Sequence, residues 1–167
     1  EGVLVYAGNY VELHPDRPAF IMASTGEQVS HRELEARANR LAHLLRSHGL
    51  QPGDHYSILM ENNDRYLEAC GGGERSGLHY TCVNSYLTAD EVAYIVDNSD
   101  SQVLITSLAK RDVALAAVQR CPNVSLVLVV DEPTGSDDAP GDARVRDYVS
   151  ATEAMPSDPL PDERLGT

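Results

Sequence analysis

The sequence predicts an α/β fold with a mainly parallel sheet, helices on both faces of the sheet, and an early β-hairpin. Short β-forming runs alternate with segments of helical periodicity along most of the chain. The run "LVLVV" is apolar at every position, which is typical of parallel strands that are buried on both faces. Right-handed crossovers between parallel strands then favour a doubly wound layer. A length of 167 residues fits one domain, or one domain with a trailing segment.

The first elements are a hairpin and a helix. In "PAFIMASTGEQVSH" two alternating apolar runs flank Ser24, Thr25 and Gly26, which predicts a turn between two strands. Ser30 and Glu33 then have the spacing of a capping box, in which each side chain meets a free backbone N–H. Gly49 is in place to end the helix. The predicted inward face of this helix is Leu34, Ala38, Leu41 and Leu45.

The central elements continue the alternation. "QPGD" predicts a turn and "HYSILM" a strand, and Asn63 or Asp64 is placed to begin a second helix through "RYLEAC". "HYTCV" predicts the next strand, and Thr88 with Glu91 forms a second capping box. The apolar face of the helix that follows is Val92, Ile95 and Val96.

The last clear units are a strand, a helix and a strand. "QVLIT" predicts a strand, "LAKRDVALAAVQRC" a helix that stops at Pro122, and "VSLVLVVD" a buried strand. Val113, Ala117 and Val118 are the predicted inward residues of that helix.

The composition changes after residue 131. "DEPTGSDDAPGDAR" predicts an exposed acidic loop, "VRDYVSAT" at most one short helix, and "MPSDPLPDERLGT" a Pro-rich linker. We therefore expect an α/β subdomain at residues 1–131, and a loop, short helix and linker at residues 132–167. The start at Glu1 and the ending "PDERLGT" indicate a piece of a longer chain.

Charge and composition exclude several classes of function. A net charge of −13 argues against nucleic acid and anionic membrane surfaces as partners. The six histidines and three cysteines show no zinc-ligand spacing, so no metal site is predicted. Cys70, Cys82 and Cys121 are dispersed, which fits buried thiols in a reducing cytosol, and Cys82 is predicted to be a buried structural thiol. No apolar run is long enough to cross a bilayer.

The glycine-rich stretch "EACGGGERSGLHYTCVNSYLT" raises the question of a phosphate-binding loop. It matches neither GxGxxG, because Ser76 stands where the last glycine belongs, nor the Walker pattern, because it lacks the lysine. The three glycines also come at the end of a predicted helix, whereas anion sites use helix N-termini. We therefore predict a structural role, either close packing or a loosened helix end.

The ordered segments "HPDRPAFI", "VSHRELEARANRLAHLLRSHGLQPGD" and "GERSGLHYTCVNSYLTADEVAYIVDNSDSQVLIT" resemble the start of adenylate-forming, or AMP-binding, enzymes. This family includes acyl-CoA synthetases, luciferases and peptide-synthetase adenylation domains. The resemblance is greatest to actinobacterial fatty-acid–CoA ligases and covers about residues 10–130. Family members usually have alanine or bulkier residues at the positions of Gly71, Gly72 and Gly73, so helix continuity there is uncertain.

The resemblance implies an activity that belongs to a longer enzyme. Such an enzyme condenses a fatty acid with ATP to an acyl-adenylate and passes the acyl group to coenzyme A (CoA). ATP, Mg²⁺ and CoA are then cofactors of the full-length enzyme, and none is expected to bind this portion alone. The family's Ser/Thr/Gly loop, adenine-binding strand, ribose aspartate and C-terminal lysine are absent, so no catalytic residue is assigned and the fragment is expected to be inactive. The implied partner is the remainder of the chain, in the cytoplasm, with a homodimer left open.

Two groups of residues are candidates for binding. Lys110 and Arg111 follow a strand in the region where CoA-using relatives bind the 3′-phosphate of CoA, although a solvated basic pair is the alternative. Asn84, Ser85 and Tyr86 end a strand, where they could line the substrate cleft or simply form an Asx turn.

Two other readings of the whole chain are left open. One is a stand-alone flavodoxin-like binding or interaction module without catalysis, and the other is an accessory domain that makes subunit contacts. The fragment reading differs from both in predicting a bare apolar surface where the missing part would dock. The acyl chain length is not determined by these residues.

Overall fold

A computed structural model describes residues 7–132 and 142–163. In these ranges the chain forms seven strands, five α-helices and two 3-10 helices. The strands are β1 (Pro18–Ile21), β2 (Gln28–Ser30), β3 (His55–Leu59), β4 (His79–Cys82), β5 (Ser101–Ser107), β6 (Leu126–Val130) and β7 (Val145–Asp147). The α-helices are α1 (His31–Ser47), α2 (Tyr66–Ser76), α3 (Ala89–Asn98), α4 (Arg111–Val118) and α5 (Tyr148–Glu153). The 3-10 helices are Ala7–Tyr10 and Leu108–Lys110.

The five later strands form one parallel sheet in the order β4-β3-β5-β6-β7. β1 and β2 form a separate antiparallel hairpin. The predicted fold class, including the early hairpin, is therefore confirmed. β6 is buried at all five positions, because it lies between two strands and under helices on both faces.

Helices cover both faces of the sheet, as predicted. On one face, α1, α2 and α5 pack through residues such as Leu41 and Tyr148 against Tyr56 and Ile105 of the sheet. On the other face, α3 and α4 pack through a second cluster around Leu104. Each face thus has its own apolar core, and the C-terminal ends of the strands remain at one edge of the sheet between the two layers.

Local signals mark the ends of the helices. The Ser30 hydroxyl accepts a hydrogen bond from the Glu33 N–H at 3.2 Å at the start of α1, and Gly49 follows that helix with φ of 106°. At α3, the Thr88 N–H donates to the Glu91 carboxylate at 2.8 Å. The second predicted capping box is therefore present, whereas at α1 only the serine half of the first is observed, and the Glu33 carboxylate accepts instead from Arg37 at 2.6 Å. The helix α2 begins slightly later than predicted, at Tyr66.

The three glycines lie inside α2, which runs without a break to Ser76 and ends at Gly77 with φ of 67°. All three are buried. A Cβ at Gly72 would lie 2.7 Å from Leu41 Cδ2, and one at Gly73 would lie 2.6 Å from Tyr56 Oη. The prediction of close packing is confirmed, and the alternative of a loosened helix end is wrong. Glycine is needed here because α1 and the sheet approach the helix axis closely.

The segment after residue 142 contains more structure than the sequence predicts. Val145–Asp147 forms β7, which pairs in parallel with β6, and the Asp147 carboxylate caps α5 by accepting from the Ser150 N–H at 2.7 Å. Three residues are too few to show a strand period, so only the helix was expected. Most of the predicted acidic loop, residues 133–141, lies outside the described residues. The division of the chain at residue 131 stays a prediction.

The predicted burial of Cys82 is wrong, because this cysteine is exposed. It ends β4, which is an edge strand of the sheet and therefore leaves side chains open to solvent. Cys70 is half-buried and Cys121 is buried. Within residues 7–132 and 142–163, no helix has both the length and the apolar character needed to cross a bilayer.

Candidate functional site

The candidate site lies at the edge of the sheet where the parallel strands end. In open α/β sheets, ligands bind outside the carboxyl ends of the strands, because the loops there converge. β4, β3, β5 and β6 end at Cys82, Leu59, Ser107 and Val130, and each is followed by polar residues.

The loop after β4 forms a tight turn. The Asn84 Oδ1 accepts a hydrogen bond from the Tyr86 N–H at 3.0 Å, and the Asn84 carbonyl accepts one from the Leu87 N–H at 3.2 Å. The predicted Asx-type turn is thus confirmed. It leaves the Tyr86 side chain 91% exposed, with its ring facing away from the core. Ser85 lies between them and is partly buried.

The loop after β5 brings a cation to this ring. The 3-10 helix Leu108–Lys110 leads directly into α4, and Lys110 Nζ lies 5.4 Å from the centroid of the Tyr86 ring. This is a cation–π distance. Lys110 is also the single lysine of the sequence. The structure therefore brings together two groups that are 24 residues apart in the chain and were predicted separately.

Arg111 points to a different partner. Its Nε donates to both carboxylate oxygens of Glu132, at 2.9 and 3.0 Å. The two side chains are 24% and 13% exposed, so the pair is partly shielded from solvent. No carboxylate of the described residues lies within salt-bridge distance of Lys110. Of the two predicted phosphate ligands, Lys110 is therefore the one whose charge is not matched by a described acidic group.

Three polar residues at this edge were missed by the sequence reasoning. They are Glu61, Ser107 and Glu132. The Ser107 hydroxyl donates to the Glu61 carboxylate at 2.6 Å, which ties the end of β5 to the loop after β3. Glu61 and Glu132 each follow the last residue of a parallel strand by two positions, and that spacing is the signal that could have found them.

The residues at this edge are suited to binding a ligand. An ammonium group above an exposed aromatic ring suits a phosphate or another anion, and the Asx turn holds the ring in place. No histidine takes part in these contacts, and Ser107 has a carboxylate as its partner, so this cluster supplies no activated nucleophile of the Ser–His kind.

The glycine run does not fit a triphosphate. Its residues are buried in the middle of a continuous helix, and the Gly73 N–H donates to the Tyr56 hydroxyl at 3.0 Å. Backbone N–H groups in that setting cannot converge on phosphate oxygens as they do at a helix N-terminus. Among residues 7–132 and 142–163, no three His, Cys, Asp or Glu side chains are grouped as ligands for a metal ion. The buried glycine run therefore provides no phosphate-binding loop among the residues that the structure describes.

An apolar groove of about 340 Å³ lies between the hairpin, α1 and α2. Two of its lining residues, Leu67 and Tyr10, are 48% and 44% exposed. Its lining residues are Tyr10, Ala19, His31, Leu34, Leu67, Cys70, Gly71, Glu74 and Arg75. Exposed apolar side chains beside a groove are typical of a surface that packs against another protein part.

A buried charged cluster on the same face joins α1, α2 and α5. Glu68 is 1% exposed and lies 3.4 Å from Arg65 and 3.5 Å from Arg37. Burial raises the pKa of Glu68, and the neighbouring arginines act in the opposite direction. The cluster joins helices inside the fold, so we regard it as structural.

Solved structures of CoA ligases share the fold. The chain superposes with a TM-score of 0.82 on an anthranilate CoA ligase solved with anthranoyl-AMP, at 14% identity, covering 96% of this chain and 29% of that one. A fatty acyl CoA synthetase of Mycobacterium tuberculosis gives a TM-score of 0.79 at 21% identity, with 95% of this chain and 29% of that one covered. At these identities the similarity shows the fold alone.

Curated relatives are similar in sequence. The chain is 36% identical over 127 residues to a 3-oxocholest-4-en-26-oate–CoA ligase of Rhodococcus rhodochrous, covering 76% of this chain and 22% of the relative. It is 30% identical over 131 residues to a medium/long-chain-fatty-acid–CoA/3-oxocholest-4-en-26-oate–CoA ligase of Mycobacterium tuberculosis, covering 78% and 24%. The chain thus spans less than a quarter of the length of these relatives.

The family assignment rests on a match over nearly the whole length of the chain. Residues 9–164 match the family model described as AMP-binding enzyme. This match covers the hairpin, the parallel sheet and the helices on both of its faces, and it agrees with the ligase relatives and with the shared fold. The chain therefore belongs to the AMP-binding enzyme family.

Proposed function

We propose that this chain is the N-terminal part of an ATP-dependent acyl-CoA ligase that acts on fatty acids. The observation that carries the proposal is the 30–36% identity to relatives named as CoA ligases. In the proposed reaction, a carboxylate attacks the α-phosphate of ATP, and acyl-adenylate and pyrophosphate are formed. The thiol of CoA then attacks the acyl carbon, and thioester and AMP are released.

The residues of this portion bind and position the substrates, and none of them is a catalytic residue. Lys110 contributes a cation to the 3′-phosphate of CoA, and the Tyr86 ring holds the ammonium group in place. Arg111 contributes less than Lys110 to phosphate binding, because its charge is paired with that of Glu132. Asn84, Ser85 and Tyr86 line the adjacent cleft, where the Asx turn sets the direction of the ring.

ATP and Mg²⁺ are bound by the part of the enzyme beyond these residues. The groove lined by Leu34 and Leu67 supports this division, since an apolar surface of this kind is covered when the remainder of the chain packs on it. A cytoplasmic location fits the free cysteines. A homodimer would be detected by light scattering of the full-length enzyme.

Kinetics of the full-length enzyme with two forms of the thiol substrate test the proposal. Acyl-CoA formation is measured with fatty acids of graded chain length, using CoA or 3′-dephospho-CoA. We expect Lys110→Ala to raise KM for CoA about tenfold, the effect of losing one charge-assisted contact, and to leave KM for dephospho-CoA nearly unchanged. The matched control is Arg120→Ala, which also removes one cation and should leave both KM values unchanged. Arg120 forms an exposed ion pair with Asp90, and the two side chains are 61% and 75% exposed.

Two outcomes would contradict different parts of the proposal. If no acyl-CoA forms with any of these acids, the ligase assignment fails. If ligation proceeds but Lys110→Ala affects both thiol substrates equally, the activity stands and the assignment of Lys110 to the 3′-phosphate fails.

A further inference from the structure

Two histidines meet on neighbouring strands at the edge of the sheet where the parallel strands begin. His55 is the first residue of β3 and His79 is the first residue of β4, and the two are direct partners in the register of this parallel pair. Their ring centroids are 4.9 Å apart, and the rings are tilted by 39° to each other. The sequence separates them by 24 positions, and the candidate site at the opposite edge of the sheet uses neither of them.

The backbone around this pair is held by hydrogen bonds between the two strands and the turns before them. The His79 N–H donates to the Asp54 carbonyl at 2.9 Å, and the Gly53 N–H donates to the Gly77 carbonyl at 2.8 Å. The parallel pairing then continues in register along the whole of β4. Partners in register on adjacent strands project to the same face of the sheet. Two side chains on such strands keep their spacing better than two side chains on loops.

Both imidazoles are open to a ligand. His79 is exposed and His55 is partly buried, because β4 is an edge strand of the sheet. Among the residues that the structure describes, the histidine rings with hydrogen-bond partners are those of His43 and His48, so no described partner occupies the ring nitrogens of the pair. A neutral imidazole with a free ring nitrogen is a ligand for Zn²⁺ and other late transition metals.

The spacing of the rings matches two ligands of one metal ion. A Zn–N bond is about 2.0–2.1 Å long, so two imidazoles on one ion in tetrahedral or octahedral arrangement have their ring centres about 4.5–5.2 Å apart. The observed 4.9 Å lies in this range. No third His, Cys, Asp or Glu of residues 7–132 and 142–163 is grouped with them as a ligand. The remaining coordination positions therefore go to water, to which the edge of the sheet is open.

We propose that His55 and His79 form a binding site for a divalent transition metal ion of the kind that prefers imidazole ligands, such as Zn²⁺. The ion bridges the first residues of β3 and β4, and water completes its coordination shell.

The position of this site makes its role structural. It lies where the strands begin, whereas Tyr86 and Lys110 lie beyond the strand ends, at the opposite edge of the sheet. An ion that binds the two histidines only when β3 and β4 are paired stabilises the folded state by mass action. The site therefore strengthens the attachment of the edge strand β4 and takes no part in the chemistry of the candidate site.

Protection from histidine modification tests the proposal on the full-length protein. Diethyl pyrocarbonate acylates free imidazole nitrogens, and trypsin places His79 in residues 76–110 and His55, together with His48, in residues 47–65. Accessible thiols are alkylated first, so that they do not bind the ion. We expect Zn²⁺ to slow the modification of His55 and His79 with one common midpoint, by about tenfold at ten times the dissociation constant. His48 should react at an unchanged rate and serves as the control in the same peptide.

Matched variants separate the pair from its members. In His79→Gln, the Zn²⁺ concentration that protects His55 should rise roughly a hundredfold, because a lone imidazole lacks the second bond to the same ion. The reciprocal variant His55→Gln should have the same effect on His79. His14→Gln removes an exposed histidine outside the pair and should leave the protection unchanged. If His55 and His79 react equally fast with and without Zn²⁺, or if either stays fully protected after the other is replaced, the proposal is overturned.

Discussion

At the scale of single residues, the absence of a side chain decides how closely α2 can pack. Alanine would favour the helix over glycine by about 1 kcal/mol at each position. The space that a Cβ needs is already filled by Leu41 at Gly72 and by the Tyr56 ring and hydroxyl at Gly73. The glycines thus lower the helix propensity of α2 and allow close contact with α1 and the sheet.

Gly73→Ala tests this balance. We expect the free energy of unfolding to fall by about 1–3 kcal/mol, because the overpacked contact with Tyr56 outweighs the gain in helix propensity. Urea unfolding followed by circular dichroism measures it. In a Tyr56→Phe background the nearest atom, Tyr56 Oη at 2.6 Å, is gone, so the same change should destabilise less. An equal loss in both backgrounds would contradict the role of the hydroxyl.

Thiol ionisation gives a second prediction at this scale. The pKa of Cys70 is raised from 9.0 to about 12, and that of Tyr80 from 10.0 to about 12, in both cases mainly by burial. The unfolded chain therefore releases these protons at lower pH than the folded protein. Their contribution to stability is complete below the unfolded pKa and is lost as the pH rises to the folded pKa.

We expect the urea midpoint to fall as the pH increases from 9.0 to about 12. In Cys70→Ala the decline should be shallower, because one of the groups with a raised pKa is absent, while Tyr80 and other buried tyrosines still contribute. The midpoints are measured in reductant, so that no disulfide forms. Parallel curves for the two proteins would show that Cys70 does not contribute to the alkaline instability.

At the scale of elements, α1 and α2 are joined by a buried ion pair as well as by apolar contacts. Arg75 is 1% exposed, and its guanidinium is held by the Glu35 carboxylate and by the Gly71 carbonyl at 2.8 Å. An arginine this buried needs such partners, because its charge has lost most of its contact with water. The ion pair thereby fixes how one helix crosses the other.

Removing one partner of this ion pair should destabilise the fold strongly. We expect Glu35→Ala to lower the free energy of unfolding by about 3 kcal/mol, because it takes a main partner from a buried guanidinium. The comparison variant is Asp16→Ala, which breaks the ion pair between Asp16 and Arg32. These two side chains are 84% and 65% exposed, so the free energy of unfolding should change by less than about 1 kcal/mol. Chemical denaturation of both variants checks the difference, and similar losses would count against a burial effect.

At the scale of the whole molecule, the chain is an α/β layer with part of its surface apolar. It spans less than a quarter of the length of its curated relatives, and the groove between the hairpin, α1 and α2 lies open. The edge of the sheet offers one cation above an aromatic ring, and the glycine run is buried. In the function that we propose, this portion helps to position a substrate and depends on other parts of the enzyme for the chemistry.

Calorimetry with Mg-ATP tests this division of roles. We expect no saturable heat from residues 1–167 alone, because residues 7–132 and 142–163 form no phosphate cradle, and a saturable signal from the full-length enzyme. Circular dichroism and a cooperative unfolding transition show first that the isolated portion is folded. Saturable binding by the isolated portion would contradict the proposed division.

The order and type of most elements follow from the sequence by itself. Capping at Ser30 and Thr88, the apolar periodicity of α1 and the fully apolar β6 are local patterns, and local patterns determine helices and buried strands. The Asx turn at Asn84 was predictable for the same reason, since its hydrogen bond spans only two residues.

Tertiary structure alone decided which distant residues meet. The strand order β4-β3-β5 places Lys110 above Tyr86, and the packing of α2 on the sheet places Gly73 against the Tyr56 ring. The same packing kept the helix continuous through Gly72, against its low propensity, and the edge position of β4 exposed Cys82. Such contacts depend on which strands are neighbours and how closely the layers approach, and no local pattern in the sequence carries that information.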